Sequence, residues 1–393
     1  MLNRILSLLP GILFFAFQLS AQNDKVVLSG YVKNMQTVIF FNNSYPNAQQ
    51  TAFTDTVFLD QLIHQRLNLN WYLNDKFTLK AGWRNRLFLG DFVRSTPGYA
   101  EQVDKASNDY LDLSVLVIDH PSVVWHSVLD RLYLQYSSGD WEVRLGRQRV
   151  NWGINTVWNP NDIFNAFSFT DFDYEERPGS DAVRVKYYTG ISSSIEVAAK
   201  AADNINQAVI AGLWKFNKWN YDFQILGGYA KDDIVLGGGW AGNLKNAGFK
   251  GEFSWFTPLT DKNEEDAFTA TIGVDYSFAN SLYLNGGALY NSMGSSLGDA
   301  STLFSFELSA KNLYPYEWAF FGSASYPFTP LINGGLALIY SPVKSQALFL
   351  NPTLTLSIKE NWDLDLIGQI VFDKKEKYGS SLQAAFLRLK YSY

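Results

Sequence analysis

Hydrophobic and polar residues alternate along short stretches of this chain, and that period predicts β-strands. In 361–372 one face carries Trp362, Leu364, Leu366, Gly368, Ile370 and Phe372, while Asp363, Asp365 and Gln369 take the other. Segment 267–278 sets Phe268, Ile272, Val274 and Phe278 against Thr269, Thr271 and Asp275; segment 246–257 sets Phe249, Phe253 and Trp255 against Lys250, Glu252 and Ser254. Successive strand side chains point to opposite faces, so each segment has one apolar and one polar wall. Each segment is close to the ~10 residues that a tilted strand needs to cross a bilayer. A soluble sandwich alternates in the same way, but here aromatics stand at the ends of the apolar faces (Trp71, Trp141, Trp318, Trp362), as in the two interfacial girdles of a membrane barrel. The polar faces are numerous and charged, which suits a wet lumen.

The connections between segments also alternate. Tight turns are expected at 74–76, 138–140, 190–193, 217–218, 279–281, 327–330 and 359–361, and long connections at 42–60, 91–127, 151–180, 258–266 and 293–317. One short end and one long end is the asymmetry of an outer-membrane barrel. The count is about 18 antiparallel strands, with 16 the alternative; 110–118 is the ambiguous stretch, a strand or a hairpin inside a long loop. In hydrocarbon an open sheet edge leaves costly unpaired backbone groups, so the sheet must close on itself.

Composition narrows the class. Of 393 residues only 18% are charged, below the quarter or so of soluble domains, and there is no cysteine. Absent cysteine removes disulfide scaffolds, thiol catalysis and cysteine-ligated metal sites. Residues 1–21 have a basic Arg4, an apolar stretch from Ile5 to Leu19 and a small-residue exit at Ser20 and Ala21, the pattern of an export signal. The domain reading is therefore a signal peptide over 1–21 and a single barrel over 22–393. Ala385, Leu387, Leu389, Tyr391 and Tyr393 alternate to a terminal aromatic. They resemble the last strand of bacterial outer-membrane proteins, which the barrel-assembly machinery recognises; that machinery, outer-membrane lipid and lipopolysaccharide are the expected partners, and a net charge of −6 gives no sign of nucleic acid.

If neighbouring strands pair, their polar faces gather Arg66, Lys80, Arg84, Arg86, Arg131, Arg144, Arg184 and Lys186 on one lumen wall, with Glu142 among them. A wall of one sign beside a low-dielectric rim concentrates ions of the opposite sign; the plainer reading is that these charges pair internally and keep the lumen wet. Later strands place Asp222, Asp275, Asp363 and Asp365 inside. Segment 146–179 then breaks parity, because Arg147 and Arg149 fall on the apolar face of Trp141, Val143 and Leu145. The strand should therefore leave the membrane or bulge at Gly146. Connection 151–180, with Asp162, Asp171 and Asp173 among aromatics, either folds into the lumen as a constriction or caps it from outside.

The run Leu145-Gly-Arg-Gln-Arg-Val-Asn-Trp-Gly153, followed by Asn159-Pro-Asn-Asp162 and Arg177-Pro-Gly179, resembles a signature of porin-like outer-membrane barrels, including uncharacterised families with a Gly-Arg-Gln…Trp-Gly stretch and, more distantly, alginate-export barrels. The cleavage region and aromatic-rich strands resemble those of Bacteroidetes outer-membrane proteins. The resemblance implies a channel for hydrophilic solutes or a polyanionic chain, with Arg147, Gln148, Arg149, Trp152 and Asp162 in the pore or its constriction.

Other motifs carry less. Gly237-Gly-Gly-Trp-Ala-Gly242 fits a dinucleotide pattern but lies within strand-like alternation and lacks the helix that motif requires. His64, His120 and His126 show no zinc spacing, and the adjacent His126 and Ser127 point to opposite faces of a strand. The sequence thus predicts a Gram-negative outer-membrane channel for passive diffusion of small hydrophilic or anionic solutes, neither an enzyme nor dependent on a cofactor or metal. Export of an anionic polysaccharide is the alternative.

Overall fold

Backbone N–H and C=O groups in hydrocarbon have only each other to bond, and every strand here except the short one over 114–120 is paired on both sides. The computed structural model describes residues 25–42, 56–166, 176–260, 264–296, 308–374 and 377–393. The expected signal at 1–21, together with Asp171 and Asp173, lies outside them. Through the first half of the chain the strands are β1 (Val26–Phe41), β2 (Thr56–Tyr72), β3 (Phe77–Gly90), β4 (Ser114–His120), β5 (Val123–Ser138), β6 (Trp141–Gln148), β7 (Ser180–Gly190), β8 (Ser193–Lys200), β9 (Val209–Lys218) and β10 (Tyr221–Ala230). The second half adds β11 (Asp233–Leu244), β12 (Ala247–Pro258), β13 (Ala267–Ser277), β14 (Tyr283–Asn291), β15 (Trp318–Thr329), β16 (Ile332–Ser341), β17 (Ala347–Lys359), β18 (Trp362–Lys374) and β19 (Tyr378–Ser392).

Consecutive strands pair antiparallel, and β1 closes on β19 from Tyr31 opposite Ser392 to Phe41 opposite Leu382. Eighteen strands form the closed barrel. The ambiguous stretch supplies β4, which is a hairpin arm: β5 pairs with β3 along one edge, while along the other it pairs first with β4 and then, from Leu132 onward, with β6. Thus β4 and β6 lie end to end in one strand position.

Tight turns gather at the end that holds Val26 and Tyr393, where Gly30 and Tyr393 exchange backbone hydrogen bonds of 2.8 and 2.9 Å. A Cβ on Gly30 would sit 2.9 Å from the Tyr393 ring, so only glycine leaves room for the terminal aromatic. Trp219 and Asn220 both take positive φ, as a two-residue type I′ hairpin requires. The other end carries the long connections, with one departure from expectation. Lys231 and Asp232, also at positive φ, join β10 to β11 there in two residues. Short helices cap that end, α1 (Asp91–Ser95) beside β2 and β3 and α2 (Tyr99–Lys105) beside β4 and β5. Asp60 and Asp91 accept the backbone N–H groups of Phe92 and Leu59, and Phe92 stacks on Phe58 at 4.9 Å.

The outer face is apolar and exposed: Leu145, Leu236, Phe253, Ile272, Leu336 and Leu366 all point away from the barrel. Aromatic pairs band both ends of it, with Trp141 on Tyr187 and Trp362 on Tyr391 at the short-turn end and Trp255 on Phe268 and Tyr290 on Trp318 at the other. In water such a surface would aggregate; in a bilayer it is the solvated face, with Trp and Tyr at headgroup level. The outer face is thus that of a membrane-spanning barrel.

The broken parity at Arg147 has a different cause from the exit or bulge expected there. Gly146 takes φ 118° yet the register continues unbroken, Arg147 opposite Leu132 on one side and Asp181 on the other. The guanidinium stays on the outward side but donates to Asp181 at 2.7 and 2.9 Å and to the Leu111 carbonyl, and it is buried. Segment 109–113, leading into β4, covers the pair, since Asp181 in turn accepts the Leu111 N–H at 2.8 Å. A charge that would be costly facing lipid is neutralised and roofed over by the chain itself.

Candidate permeation path

The inward faces of β2, β3, β5, β6 and β7, which are neighbours in the barrel, carry the eight basic residues singled out above. Arg66 grips Asp130 with two parallel hydrogen bonds of 2.6 and 2.9 Å, its Nε donates to Asn68, and Glu176 lies 3.7 Å away. Arg84 stands 3.9 Å from the same Asp130. Arg86 donates to Ser107 at 2.8 Å and faces Nδ1 of His126 at 3.2 Å, and Nε2 of His126 faces Asp104 of α2 at 3.3 Å. Arg131 donates to the carbonyls of Asp130 and Arg177. Glu142 sits between Arg144 at 3.1 Å and Arg184 at 3.3 Å, and Arg184 also grips Glu196 at 2.6 and 2.7 Å. The Lys186 ammonium lies over the Tyr188 ring, and Lys80 is in register with Asn70 and Tyr133.

Two carboxylates central to this array are not among the residues singled out above. Asp130 precedes the inward Arg131 and should point to lipid. The β3–β5 register shifts between Gly82 and Trp83, and that irregularity turns both Asp130 and Arg131 inward. Glu196 alternates cleanly with Ile195 and Val197 and was legible as an inward residue; its role as a double acceptor was not. The wall is therefore a lattice of guanidiniums and carboxylates rather than a uniformly basic stripe.

The far wall is covered by the chain. Beyond β6, residues 149–166 run along the inner face of β8, β10 to β13 and β15. The Trp152 indole donates to Glu196 at 2.6 Å, and Gln224 donates to the Trp152 carbonyl at 2.7 Å. Glu252 accepts three backbone N–H groups: Ile154 at 2.9 Å, Asn155 at 2.6 Å and Asn161 at 3.2 Å. Asn161 reaches the Gly238 carbonyl, Ser254 donates to the Pro160 carbonyl, and Asn155 donates to Thr271. Trp158 packs edge-on against Tyr314 and Phe321. Gln148, fully buried, donates to the Ala182 carbonyl at 3.0 Å where the segment leaves the strand.

Glycine makes this approach possible. A Cβ on Gly237 would meet Asn161 Oδ1 at 2.7 Å, and one on Gly239 would meet Ile154 at 2.7 Å. The glycine run that mimics a dinucleotide motif is the place where this segment lies directly on the sheet. Within the segment, a Cβ on Gly153 would overlap Asn159, so the bend there also needs glycine.

Asp162 is the charged hinge of the segment. Its Oδ1 accepts the Trp152 N–H at 3.3 Å, and its Oδ2 faces Arg149 and Arg177, each at 3.8 Å. Burial raises the Asp162 carboxyl from its ordinary 3.8 to about 6 despite those two cations. Burial, reinforced by Arg149, lowers the Arg177 guanidinium to about 10.

No protein-family model matches the chain, and no curated protein does either. Solved structures do resemble it. OpdL of Pseudomonas aeruginosa aligns at a TM-score of 0.58 with 8% identity, over 94% of this chain and 98% of that one. OpdK of the same organism, solved with vanillate, aligns at 0.56 with 10% identity over 94% and 98%. Salmonella typhi OmpF, in complex with daunomycin, aligns at 0.50 with 11% identity over 95% and 99%. At these identities the likeness is one of fold, a closed antiparallel barrel of 18 strands like those of the solved porins.

Proposed function

We propose that this chain is an outer-membrane channel for passive diffusion of small hydrophilic solutes, with a preference for anions. The observation that carries this is the juxtaposition of inward cations on β2, β3, β5, β6 and β7 with a segment pinned to the far wall. Cations held in place along one side of a narrowed aqueous path lower the barrier for anions without binding them tightly, which is what conduction needs. On this reading 149–166 is a constriction, and Arg149, Trp152 and Asp162 shape its edge. The bulk of that segment within the lumen favours small permeants over an exported polysaccharide. OpdK, with vanillate bound, is a neighbour of the same fold whose ligand is a small carboxylate. Residues 1–21 would direct export, and the strand ending at Tyr393 would hand the barrel to the assembly machinery.

The reversal potential in a planar bilayer under a salt gradient tests the proposal. Lys80→Glu combined with Lys186→Glu changes two residues outside the buried ion-pair lattice, so the barrel should still fold. The wild type is expected to prefer chloride over potassium, and the double variant to lose or invert that preference. A wild type without anion preference overturns the proposal, as does a variant that keeps it.

A further inference from the structure

The wall that faces the cations across the lumen carries no charge. β6 holds the fifth and β15 the fourteenth of the eighteen strand positions, half-way round the barrel from each other. From Tyr283 to Asn291 on β14, Trp318 to Thr329 on β15, Ile332 to Ser341 on β16 and Ala347 to Ile358 on β17, no residue is acidic or basic.

What points inward there is small and able to hydrogen-bond. Phe321 meets Trp158 of the docked segment, and the next two residues on that face of β15, toward the short-turn end, are Ser323 and Ser325. Ser323 is in register with Asn285 on β14; Ser325 is in register with Gly335 on β16, and Gly335 with Thr353 on β17. Asn333 shares the Gly335 face, while the intervening Leu284 and Leu336 are exposed on the outside of the barrel. Among the described residues, the side chains of Asn285, Ser323, Ser325, Asn333 and Thr353 take no hydrogen-bond partner from the protein. Each can both donate and accept, so the group offers both to a solute.

Arg144, Arg184 and Lys186 stand on the facing wall toward the same end of the barrel. A solute that has passed the docked segment therefore lies between cations on one side and uncharged hydroxyls and amides on the other. An inorganic anion uses only the first wall. An acid with charges at both ends finds no cation for the second, and an alkyl or aryl acid sets apolar surface against groups that need hydrogen bonds. A monoanion whose body is covered with hydroxyls uses both walls.

We infer that the solutes this lumen favours are hydroxylated monocarboxylates, the chemistry of sugar acids, with the acid group on the β6–β7 cations and the hydroxyls on β14–β17. The inference rests on the anion-channel reading above and narrows it to a substrate class.

Bi-ionic reversal potentials in planar bilayers test it, with glucuronate against cyclohexanecarboxylate at neutral pH, where both are ionised. The two share a six-membered ring and one charge, and only the first carries hydroxyls. The wild type should pass glucuronate at least about threefold better although it is the bulkier ion. Ser323→Ala, Ser325→Ala and Thr353→Val together remove three hydroxyls at constant charge and nearly constant shape. They should abolish that preference and leave the chloride-over-potassium preference intact. Ser325→Ala alone, where the triple variant fails to insert, should lower the ratio about twofold. A wild type that prefers chloride to potassium but passes cyclohexanecarboxylate as well as glucuronate overturns this inference and leaves the anion channel standing. A glucuronate preference untouched by the hydroxyl deletions also overturns it, and a wild type that prefers cations removes it together with the reading beneath it.

Discussion

The two sides of the lumen hold their charges in opposite ways. On β2 to β7, guanidiniums from one strand meet carboxylates from the next: Arg66 with Asp130, and Arg184 with Glu142 and Glu196. These groups fix each other; Arg66, Asp130 and Glu196 are buried, while Arg144, Arg184 and Glu142 stay partly exposed. On β12 the buried carboxylate Glu252 has no cation as partner in its three hydrogen bonds; it caps backbone N–H groups of the segment lying on it. A carboxylate used this way organises chain rather than solute. One wall is held by cation–carboxylate pairs between strands, the other by a segment of chain docked on it, and strand alternation alone does not distinguish them.

The largest effect should come from removing the anchor of the covered wall. Glu252→Leu strips three buried N–H groups of their acceptor, each worth roughly 1–3 kcal/mol, so the segment's docking should weaken by at least about 3 kcal/mol. Single-channel conductance should rise and become noisy as the segment leaves the wall, whereas Glu252→Gln, which keeps one acceptor oxygen, should do much less. Unchanged conductance in the leucine variant would mean that the segment does not limit flow.

On the paired wall, Asp130→Ala leaves the buried Arg66 guanidinium with Asn68 and, among the described carboxylates, the more distant Glu176, a loss of about 2–4 kcal/mol read as a lower urea midpoint in lipid vesicles. Adding Arg66→Met should recover most of it, since the cost lies in the stranded charge and not in the absent contact. No recovery in the double variant would break the account of that wall as a mutually neutralised lattice.

The barrel, its approximate strand number and its closure were legible because period-2 alternation and terminal aromatics are local signals. So was the inward placement of the basic residues, which needs only parity along each strand. What was not legible depended on one-residue irregularities and on long-range docking. Asp130 turns inward only through the shifted β3–β5 register, which leaves no mark in composition. Arg147 keeps its parity because Asp181, 34 residues later, is its cross-strand partner, and because 109–113 roofs the pair. Gly237 and Gly239 read as ordinary barrel glycines, and nothing in the alternation around them says that a segment lies on them as a second layer.

That layer gives a smaller effect to seek. Gly237→Val places a side chain 2.7 Å from Asn161 Oδ1 and 2.9 Å from the Phe253 carbonyl, an overpacking worth about 1–3 kcal/mol. It should raise conductance in the same direction as Glu252→Leu, but less. If it lowers conductance, the segment accommodates the side chain by moving further into the lumen rather than by detaching.

The smallest expected effect is on pH, and it bears on the meeting line between the two walls. Asp162 lies between Arg149 and Arg177 at the root of the segment, with burial holding its carboxyl near 6. In an undocked or unfolded segment the same group returns to about 3.8. The docked form therefore binds its proton more tightly, so docking is strongest below about 4 and weakens as pH rises from there through about 6, levelling off above. Charge changes in the same window: as pH falls through 6, Asp162 becomes neutral and the two arginines beside it lose their counter-charge. Anion preference, measured as a reversal potential, should rise modestly between pH 7 and pH 5. Asp162→Asn should show the acidic value throughout that range. A variant whose profile still follows the wild type would assign the titration to another group and remove Asp162 from the rim.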